Sequence, residues 1–360
     1  GQIALTARDP LNEEALKWWQ SADDPWQALA TCMEIAEAEG SGDPASFLSN
    51  LAVHQDGSCN GLQHYAALGL DHFGGEQVNL VPGEKPSDPY TTVCRQVVEN
   101  IKKDIADPDF DEHKREIAQL VVDKVDRKVV KQTVMTTVYG VTYIGARDQI
   151  ANRLREKYGE GGSDELTARE IREASGYIAS VTLKSVGDIF KGAKTIMQWL
   201  TAAAQQVAKT GRPVRWETPL GLRVVQPYTK DMSCVKTVVQ GVALNNERGR
   251  IHRQRQRTAF PPNFVHSLDS THLLMTALEF DRRGGTFAGV HDSYWTHAAD
   301  FEELAFVLRD EFVKLYSLDI MGDLKASLER DFPDAGPLPP LPHKGSLNID
   351  VVRDSPYFFS

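Results

Sequence analysis

Two aspartates stand where short apolar runs end, far apart along the chain. Asp56 comes shortly after the apolar run "LAV" and begins the small-residue stretch "DGSCNG", and Asp292 lies between "FAGV" and "SYW". Either aspartate alone is typical of a turn, because Asp and Gly are frequent turn residues. If the two runs are neighbouring strands, however, the carboxylates converge, and like charges at short range repel unless a cation lies between them.

Such a carboxylate pair predicts a magnesium site. Carboxylate oxygens are hard ligands, and Mg²⁺ in proteins typically takes one or two of them together with substrate phosphates. Two such ions about 3.5–4 Å apart stabilise both the attacking and the leaving oxygen in phosphoryl transfer. Asp56 and Asp292 are therefore predicted metal ligands and catalytic residues, and two Mg²⁺ ions are the predicted cofactor.

A phosphate-binding surface is predicted on the helix expected over residues 126–139. Four side chains recur there at every fourth position: Arg127, Lys131, Met135 and Tyr139. Each step of four turns the direction of the side chain by about 40°, so all four share one side of a helix. Two cations followed by an aromatic ring suit a nucleoside triphosphate. The alternative is an amphipathic helix whose Met and Tyr belong to the core.

The bulk composition describes a globular chain of more than one subdomain. It has 360 residues, 41% hydrophobic and 25% charged, with a net charge of -10. No run of 18 apolar residues occurs, so no membrane span is predicted. The four cysteines form no CxxC pair, which indicates reduced thiols rather than a zinc site or disulfides. The basic stretch 248–257 is either a phosphate contact or a solvated loop.

The expected local elements follow from periodicity and turn residues. Helices are predicted over 11–39 with a break at Asp24-Pro25, over 63–69, over 89–106 and from about 170 to 209, with Ser163 in the preceding loop as a cap. Trp18, Trp19 and Trp26 are predicted core residues. Strands are predicted within 213–244, and "TFAGVHDSYWTHA" is a predicted hairpin. "TAFPPNFVHSLDSTH" is predicted to begin a helix, with "PPN" as a turn ahead of His266.

Four segments in order along the chain carry a resemblance to a known family. They are "DGSCNGLQH", "RKVVKQTVMTTVYG", "PPNFVHSLDSTH" and "VHDS". Together they closely resemble the polymerase motifs of the single-subunit, phage-type DNA-directed RNA polymerases, and "TAFPPNFVHSLD" and "LPPLPHKGSLNID" resemble the mitochondrial branch. The resemblance covers nearly the whole chain. It implies a helix-rich α/β polymerase right hand, with palm, fingers and a small antiparallel palm sheet.

Roles for the charged residues follow from this resemblance. Asp56 and Asp292 match the metal-binding aspartates of the first and third motifs, and the Gly57 carbonyl is expected to join the metal of Asp56. Arg127 and Lys131 match the pair that contacts the phosphates on the fingers helix.

Roles in sugar selection are implied in the same way. Tyr139 matches a tyrosine near the ribose and the entering base pair, and His266 matches a histidine that helps to sense the 2′-hydroxyl. Related DNA polymerases carry a bulky Glu at the position of Gly61, so glycine there is expected to leave room for a ribose hydroxyl. Residues 226–250 match the promoter-reading hairpin of phage enzymes, but their sequence diverges and the promoter contacts cannot be transferred.

The resemblance implies a domain order as well. The expected segments are a helical lead-in over 1–44, palm over 45–70, fingers over 71–265 and the remaining palm with the C-terminal tail over 266–360. Family members carry a long N-terminal region and a thumb before the first of these segments. The chain is therefore expected to be a C-terminal catalytic fragment.

The expected function is DNA-directed RNA synthesis. The implied partners are a DNA template, an RNA transcript, nucleoside triphosphates and transcription factors, and the implied compartment is the mitochondrial matrix. One alternative is a DNA polymerase or reverse transcriptase with the same hand, against which Gly61 and the Tyr139/His266 pair count. Another is a catalytically inactive fragment that only binds nucleic acid.

Overall fold

The computed structural model describes residues 1–159, 165–230, 235–236, 243–244 and 250–359. Within these ranges the helices are α1 Gln2–Arg8, α2 Glu13–Gln20, α3 Pro25–Gly40, α4 Asn60–Gly69, α5 His72–Gln77, α6 Pro89–Ala106, α7 Glu112–Val121, α8 Arg127–Thr137, α9 Tyr143–Tyr158, α10 Ala168–Ile189, α11 Lys191–Lys209, α12 Arg253–Arg282, α13 Phe301–Tyr316 and α14 Ile320–Asp331. The strands are β1 Ala52–Asp56, β2 Arg215–Glu217, β3 Arg223–Val225, β4 Val235–Lys236, β5 Ala243–Leu244, β6 Ala288–Val290 and β7 Ser293–His297. The predicted helix-rich α/β class with a small antiparallel sheet is confirmed.

The chain divides into two compact units. The first comprises Gly1–Asp56 and Ala277–Val307, and the second comprises Gly57–Thr276 and Leu308–Ser360. The predicted boundaries of palm and fingers follow motif positions rather than compactness, so they stay a prediction. No helix among the described residues has both the length and the apolar character that a bilayer crossing requires.

A three-stranded antiparallel sheet belongs to the first unit. Its order is β1-β7-β6, and the register places Gln55 opposite Tyr294 and Asp56 opposite Ser293. Gln55 and Tyr294 are fully buried and fix which face of the sheet points inward, because a slip by one residue would exchange the faces. The predicted hairpin is confirmed as β6 and β7, joined by the two-residue turn His291–Asp292.

The tryptophans of the first unit differ from the prediction. Trp19 is buried and its indole N–H donates to the Pro10 carbonyl at 2.9 Å, but Trp18 and Trp26 are 41% and 74% exposed. Only one side of the short helix α2 packs inward, which buries Ala15 and Trp19 four residues apart and turns Trp18 outward. Trp26 covers the edge of Trp19, with the ring centroids 5.5 Å apart.

Helix α6 of the second unit has the predicted bounds. It begins with Pro89, and the side chain of Asp88 accepts hydrogen bonds from the backbone N–H groups of the first turn, as expected of an N-cap. Val93, Val97 and Ile101 form its buried face. The periodicity of these apolar residues was therefore a sufficient signal for this helix.

Helix α8 ends earlier than the predicted 126–139. Its end is a Schellman motif, in which the Val141 N–H donates to the Thr136 carbonyl and the Gly140 N–H donates to the Thr137 carbonyl, both at 3.1 Å. Gly140 takes a left-handed conformation with φ of +75°. Tyr139 therefore lies in the cap beyond the last regular turn, rather than on the helix face.

The helical region 168–209 also departs from the prediction in detail. Thr167 caps α10 in a reciprocal capping box with Glu170. The predicted cap, Ser163, lies outside the described residues. The predicted single stretch is two helices, α10 and α11, which meet at Phe190.

Helix α12 contains the residues predicted to form a turn. It runs through Pro261 and Pro262 without a break, so "PPN" is helical and His266 lies in the middle of a 30-residue helix. The basic residues 253–257 form the first turns of this helix, which excludes the loop alternative for them. Of the predicted promoter-reading hairpin, 226–250, most residues lie outside the described ranges.

Helix α4 is buried along its whole length and requires glycine at Gly61. A Cβ added to Gly61 would lie 2.7 Å from Val138 Cγ2 and 3.1 Å from Val138 Cβ. Real side chains essentially never approach so closely, so α4 and the end of α8 are in contact through this missing side chain.

Gly61→Ala is expected to lower the free energy of unfolding by about 1–2 kcal/mol, because the overpacking outweighs the helix propensity gained from alanine. In a Val138→Ala background the same change should be neutral or stabilising, because the space is then open. Urea unfolding of the four variants measures both effects.

Gly40→Ala is the matched control. Gly40 ends α3, and nothing lies within 4 Å of a Cβ added there. An equal loss from Gly61→Ala with and without the Val138 side chain would contradict the packing account.

Candidate active site

Asp56 and Asp292 lie at the same end of the three-stranded sheet. Asp56 is the last residue of β1 and pairs with Ser293, and Asp292 directly precedes Ser293 in the turn between β6 and β7. His291, the other turn residue, has a backbone φ of +56°. Two-residue hairpin turns require a positive φ, which residues other than glycine rarely adopt. The neighbouring strands assumed in the sequence prediction are therefore present.

This donor set fits a divalent cation such as Mg²⁺. Two carboxylates supply hard oxygen ligands, and Mg²⁺ commonly completes its coordination with water and phosphate oxygens. Among the described residues no group of three or more His, Cys, Asp or Glu side chains could hold a metal ion by itself.

Gly57 follows Asp56 in the chain and belongs to the second unit. Its carbonyl accepts a hydrogen bond from the Cys59 N–H at 2.9 Å. A carbonyl oxygen has two lone pairs, so this bond leaves the predicted metal contact possible. Cys59 has φ of +67°, and this turn leads directly into α4.

Arg127 is paired within the protein. Its Nε lies 2.6 Å from Asp88 Oδ2, and its guanidinium lies 5.2 Å from the centre of the Tyr90 ring. Burial alone would raise the pKa of Asp88, but the hydrogen bonds from Arg127 and Thr91 outweigh it, so the pKa is lowered and the carboxylate stays charged. A phosphate that binds Arg127 must therefore share it with Asp88.

Lys131 lies one turn further along the exposed side of α8. Its ammonium is 5.6 Å from the centre of the Tyr90 ring, and within the described residues no carboxylate lies within 4.0 Å of it. Arg127 and Lys131 thus share one aromatic neighbour, but only Arg127 has an anionic partner. Lys131 is the better placed of the two to bind an incoming phosphate.

Met135 and Tyr139 are exposed rather than part of the core. Each is 42% exposed, while Val129, Val130 and Val134 form the buried side of α8. The core alternative for the two residues therefore does not hold. Arg127, Lys131 and Met135 share the exposed side of the helix, and Tyr139 follows in its cap.

Tyr139 and His266 are brought together by α8 and α12. Their rings stack with centroids 4.5 Å apart and an angle of 12° between the planes. The family resemblance implied related roles for the two residues, and stacking of their rings is the contact that the structure shows. The stack fixes the orientation of both rings on the exposed surface of the second unit.

Gly61 has a packing role that the sequence did not predict. The missing side chain faces Val138, the residue before Tyr139. Glycine is therefore required for α4 to approach α8, whatever the substrate. The predicted role in admitting a ribose hydroxyl stays a prediction.

A buried polar network joins α4 to α12, and the sequence reasoning missed it. Asn60 Nδ2 donates to Asp269 Oδ1 at 2.5 Å, and His64 Nε2 lies 3.7 Å from the same oxygen. His64 Nδ1 is hydrogen-bonded to the Tyr316 hydroxyl at 2.5 Å. The only sequence signal was position: Asn60 lies inside "DGSCNG", and Asp269 follows His266 by one helical turn.

The charge states in this network follow from burial and partners. Burial alone would raise the pKa of Asp269. The nearby His64 and the hydrogen bond from Asn60 outweigh burial, so the pKa is lowered and the carboxylate is ionised at neutral pH. Burial and the neighbouring His64 lower the pKa of His272 to about 4, so this histidine is neutral there.

The aromatic C-terminal tail is anchored against α4. Phe358 and Phe359 are buried, and the Gln63 side chain donates to the Phe358 carbonyl at 2.8 Å. Gly57 forms an isolated bridge with Phe359. The tail thus braces the turn that follows Asp56 in the chain.

Comparisons with known proteins agree with this arrangement of motifs. The family model for DNA-dependent RNA polymerase matches residues 1–336. DNA-directed RNA polymerase 2, chloroplastic/mitochondrial, of Arabidopsis thaliana is 50% identical over 350 residues, which is 96% of this chain and 34% of the relative.

Two tobacco relatives show the same pattern. DNA-directed RNA polymerase 1B, mitochondrial, of Nicotiana tabacum is 49% identical over 99% of this chain and 35% of its own length. DNA-directed RNA polymerase 3B, chloroplastic, of the same plant is 50% identical over 99% of this chain and 36% of its own length. The chain spans about a third of the length of these curated relatives.

Three findings lead to one conclusion: the order of the four motifs, the two aspartates at one end of a small antiparallel sheet, and the match over residues 1–336. The chain belongs to the family of single-subunit, phage-type DNA-dependent RNA polymerases.

Proposed function

We propose that the chain carries the catalytic centre of a DNA-directed RNA polymerase, which adds nucleotides from NTPs to the 3′ end of an RNA on a DNA template. The observation that carries the proposal is the register of β1 and β7, with Asp56 opposite Ser293 and Asp292 beside it. Two carboxylates at one strand end supply the hard oxygen ligands that Mg²⁺ prefers. The family membership and the names of the relatives support the same activity.

Asp56 and Asp292 would hold two Mg²⁺ ions, with the Gly57 carbonyl as a further ligand. When bound, the metal lowers the pKa of the attacking 3′-hydroxyl and stabilises the leaving pyrophosphate. The chain's contribution is to keep the two carboxylates adjacent through strand pairing, so that no reorganisation is needed when the substrate arrives.

Lys131 and Arg127 would bind the triphosphate. Lys131 has no anionic partner within the described residues, and its proximity to Tyr90 keeps the ammonium over an aromatic face. Arg127 would add a second cation once a phosphate competes with Asp88. Met135, on the same exposed side, would offer an apolar contact beside the nucleotide.

Tyr139 and His266 would select the sugar. A site that hydrogen-bonds a substrate hydroxyl rejects the analogue without it, because polar groups of the site are left unpaired. The stack holds the tyrosine ring in one place, so its hydroxyl group has a defined direction. Gly61 would act on this pair through its close contact with Val138, the residue before Tyr139.

The proposed partners are DNA, RNA and NTPs, with transcription factors as further partners. The mitochondrion is the proposed compartment, on the support of the relatives named for it, while other relatives are named for the chloroplast. A DNA polymerase or an inactive nucleic-acid-binding protein would differ from the proposal in the nucleotide used and in turnover.

Primer extension tests this proposal. Two proteins are assayed. The first is the chain alone. The second, called the graft, is the full-length tobacco polymerase 1B in which residues 1–360 of this chain replace the matching segment. The expected result for the graft is Mg²⁺-dependent extension of an RNA primer on a DNA template with NTPs. Lys131→Ala should lower the single-turnover rate by more than about tenfold, which is about 1.4 kcal/mol of barrier.

Lys128→Ala is the matched control for that variant. Lys128 is an exposed lysine of the same helix outside the four-residue repeat, and its loss should change the rate little. Equal rates for Lys131→Ala and the unchanged graft would remove Lys131 from the phosphate site. A graft that incorporates no NTP, while the parent relative does, would overturn the proposed activity.

Tyr139→Phe is expected to keep NTP incorporation and to raise the efficiency for dGTP relative to GTP by about tenfold or more, because the ring remains and only the hydroxyl is lost. Competitive incorporation by the graft measures the ratio. Tyr143→Phe, which removes the hydroxyl that donates to the Gly176 carbonyl, should leave the ratio unchanged. If both variants have the same dGTP/GTP ratio, Tyr139 has only a packing role.

A further inference from the structure

A closed ring of contacts surrounds the Tyr139–His266 stack. Asn60 and Gly61 are adjacent at the start of α4, and Gly61 faces Val138. Val138 precedes Tyr139, which stacks on His266 of α12. The ring closes through two further steps: His266 lies one turn before Asp269 on α12, and Asp269 accepts the hydrogen bond from Asn60 at 2.5 Å.

The contacts in this closed series are close, so the elements that make them have little room to shift. The Gly61 backbone lies so close to the Val138 side chain that a Cβ on Gly61 has no room. Gly140, the cap residue after Tyr139, lies against α12, since a Cβ added to it would be 3.5 Å from the Thr258 carbonyl oxygen and 3.7 Å from Pro262 Cγ. The end of α8 therefore contacts both α4 and α12.

The Asn60–Asp269 hydrogen bond is the polar member of the ring. Asn60 is 4% and Asp269 8% exposed, so neither is solvated well enough to replace its partner with water. A hydrogen bond to a buried charge is short and directional, and its loss would leave the Asp269 carboxylate with His64, 3.7 Å away, as its neighbour. The bond thus fixes the separation of α4 and α12 more tightly than apolar packing alone.

We infer that Asn60 and Asp269 are positioning residues for sugar selection: their hydrogen bond sets the place of α12 relative to α4, and with it the place of His266 against Tyr139. This inference rests on the proposed function, since it assigns a purpose to the Tyr139–His266 pair. Neither residue touches the substrate in this account. They act by positioning the aromatic rings of Tyr139 and His266, which are proposed to contact the sugar.

A purely structural role makes a different prediction. If the bond only stabilises the fold, its loss lowers the free energy of unfolding and reduces the use of NTPs and dNTPs equally. If it positions the two rings, its loss changes the ratio between the two substrates. The ratio is therefore the informative quantity, measured as kcat/KM for dGTP against GTP.

The experiment uses the graft with the bond removed from either side, as Asn60→Ala or Asp269→Ala. Both variants should raise the dGTP/GTP ratio by about threefold or more. Neither should raise it further in a Tyr139→Phe background, because the hydroxyl that the bond positions is then absent. Asp269→Asn keeps an oxygen acceptor for Asn60 and should hold the ratio near that of the unchanged graft.

Asp281→Ala is the control on the same helix, because Asp281 is exposed. An unchanged ratio in both alanine variants, with the expected effect of Tyr139→Phe, would overturn the inference and leave the proposed function intact. An unchanged ratio in Tyr139→Phe as well would overturn sugar selection by this pair and the inference with it. If Asp269→Ala does not fold, Asn60→Ala decides, since it leaves the carboxylate beside His64.

Discussion

The antiparallel pairing of β1 and β7 is the constraint on which the rest of the account depends. It places two carboxylates that are more than 200 residues apart in sequence at one end of a single sheet. Gln55 and Tyr294, fully buried on the opposite face, prevent a slip in register that would separate them. In the proposed function, a divalent cation between them would offset the repulsion of the two carboxylates.

In the second unit, close packing organises the exposed groups. Gly61 allows α4 to approach α8, the Schellman end of α8 turns Tyr139 towards His266, and the Asn60–Asp269 bond ties α4 to α12. The surface groups proposed to bind nucleotide therefore lie over a closely packed interior that includes this buried polar network. Such support is what a site needs if its polar groups are to be placed before the substrate arrives.

The sequence predicted those helices and strands that are determined by neighbouring residues, such as caps, turn residues and apolar spacing. Asp88 and Pro89 mark the start of α6, its buried valines recur at helical spacing, and the hairpin around Asp292 follows from alternating apolar residues. The two strand-end aspartates were identified because they occur together, since each alone is typical of a turn. The resemblance to the polymerase family then supplied the roles.

Contacts between distant segments could not be read from the sequence in the same way. Nothing near Arg127 indicates its pairing with Asp88, and nothing near Gly61 indicates Val138. Pro261 and Pro262 favour a turn locally, but the long helix α12 continues through them because its packing outweighs that preference. The exposure of Trp18 and Trp26 likewise depends on which helix face packs inward, which composition does not determine.

Metal binding by the carboxylate pair tests the central claim most directly. Mn²⁺ in place of Mg²⁺, titrated by electron paramagnetic resonance with a non-hydrolysable NTP, should bind about tenfold or more weakly to Asp56→Asn and to Asp292→Asn. The double variant should bind Mn²⁺ at least as weakly as either single one, because both carboxylates would be metal ligands. Asp300→Asn, beyond the far end of β7, should bind as the unchanged chain does. Undiminished Mn²⁺ binding in the single variants would contradict the account.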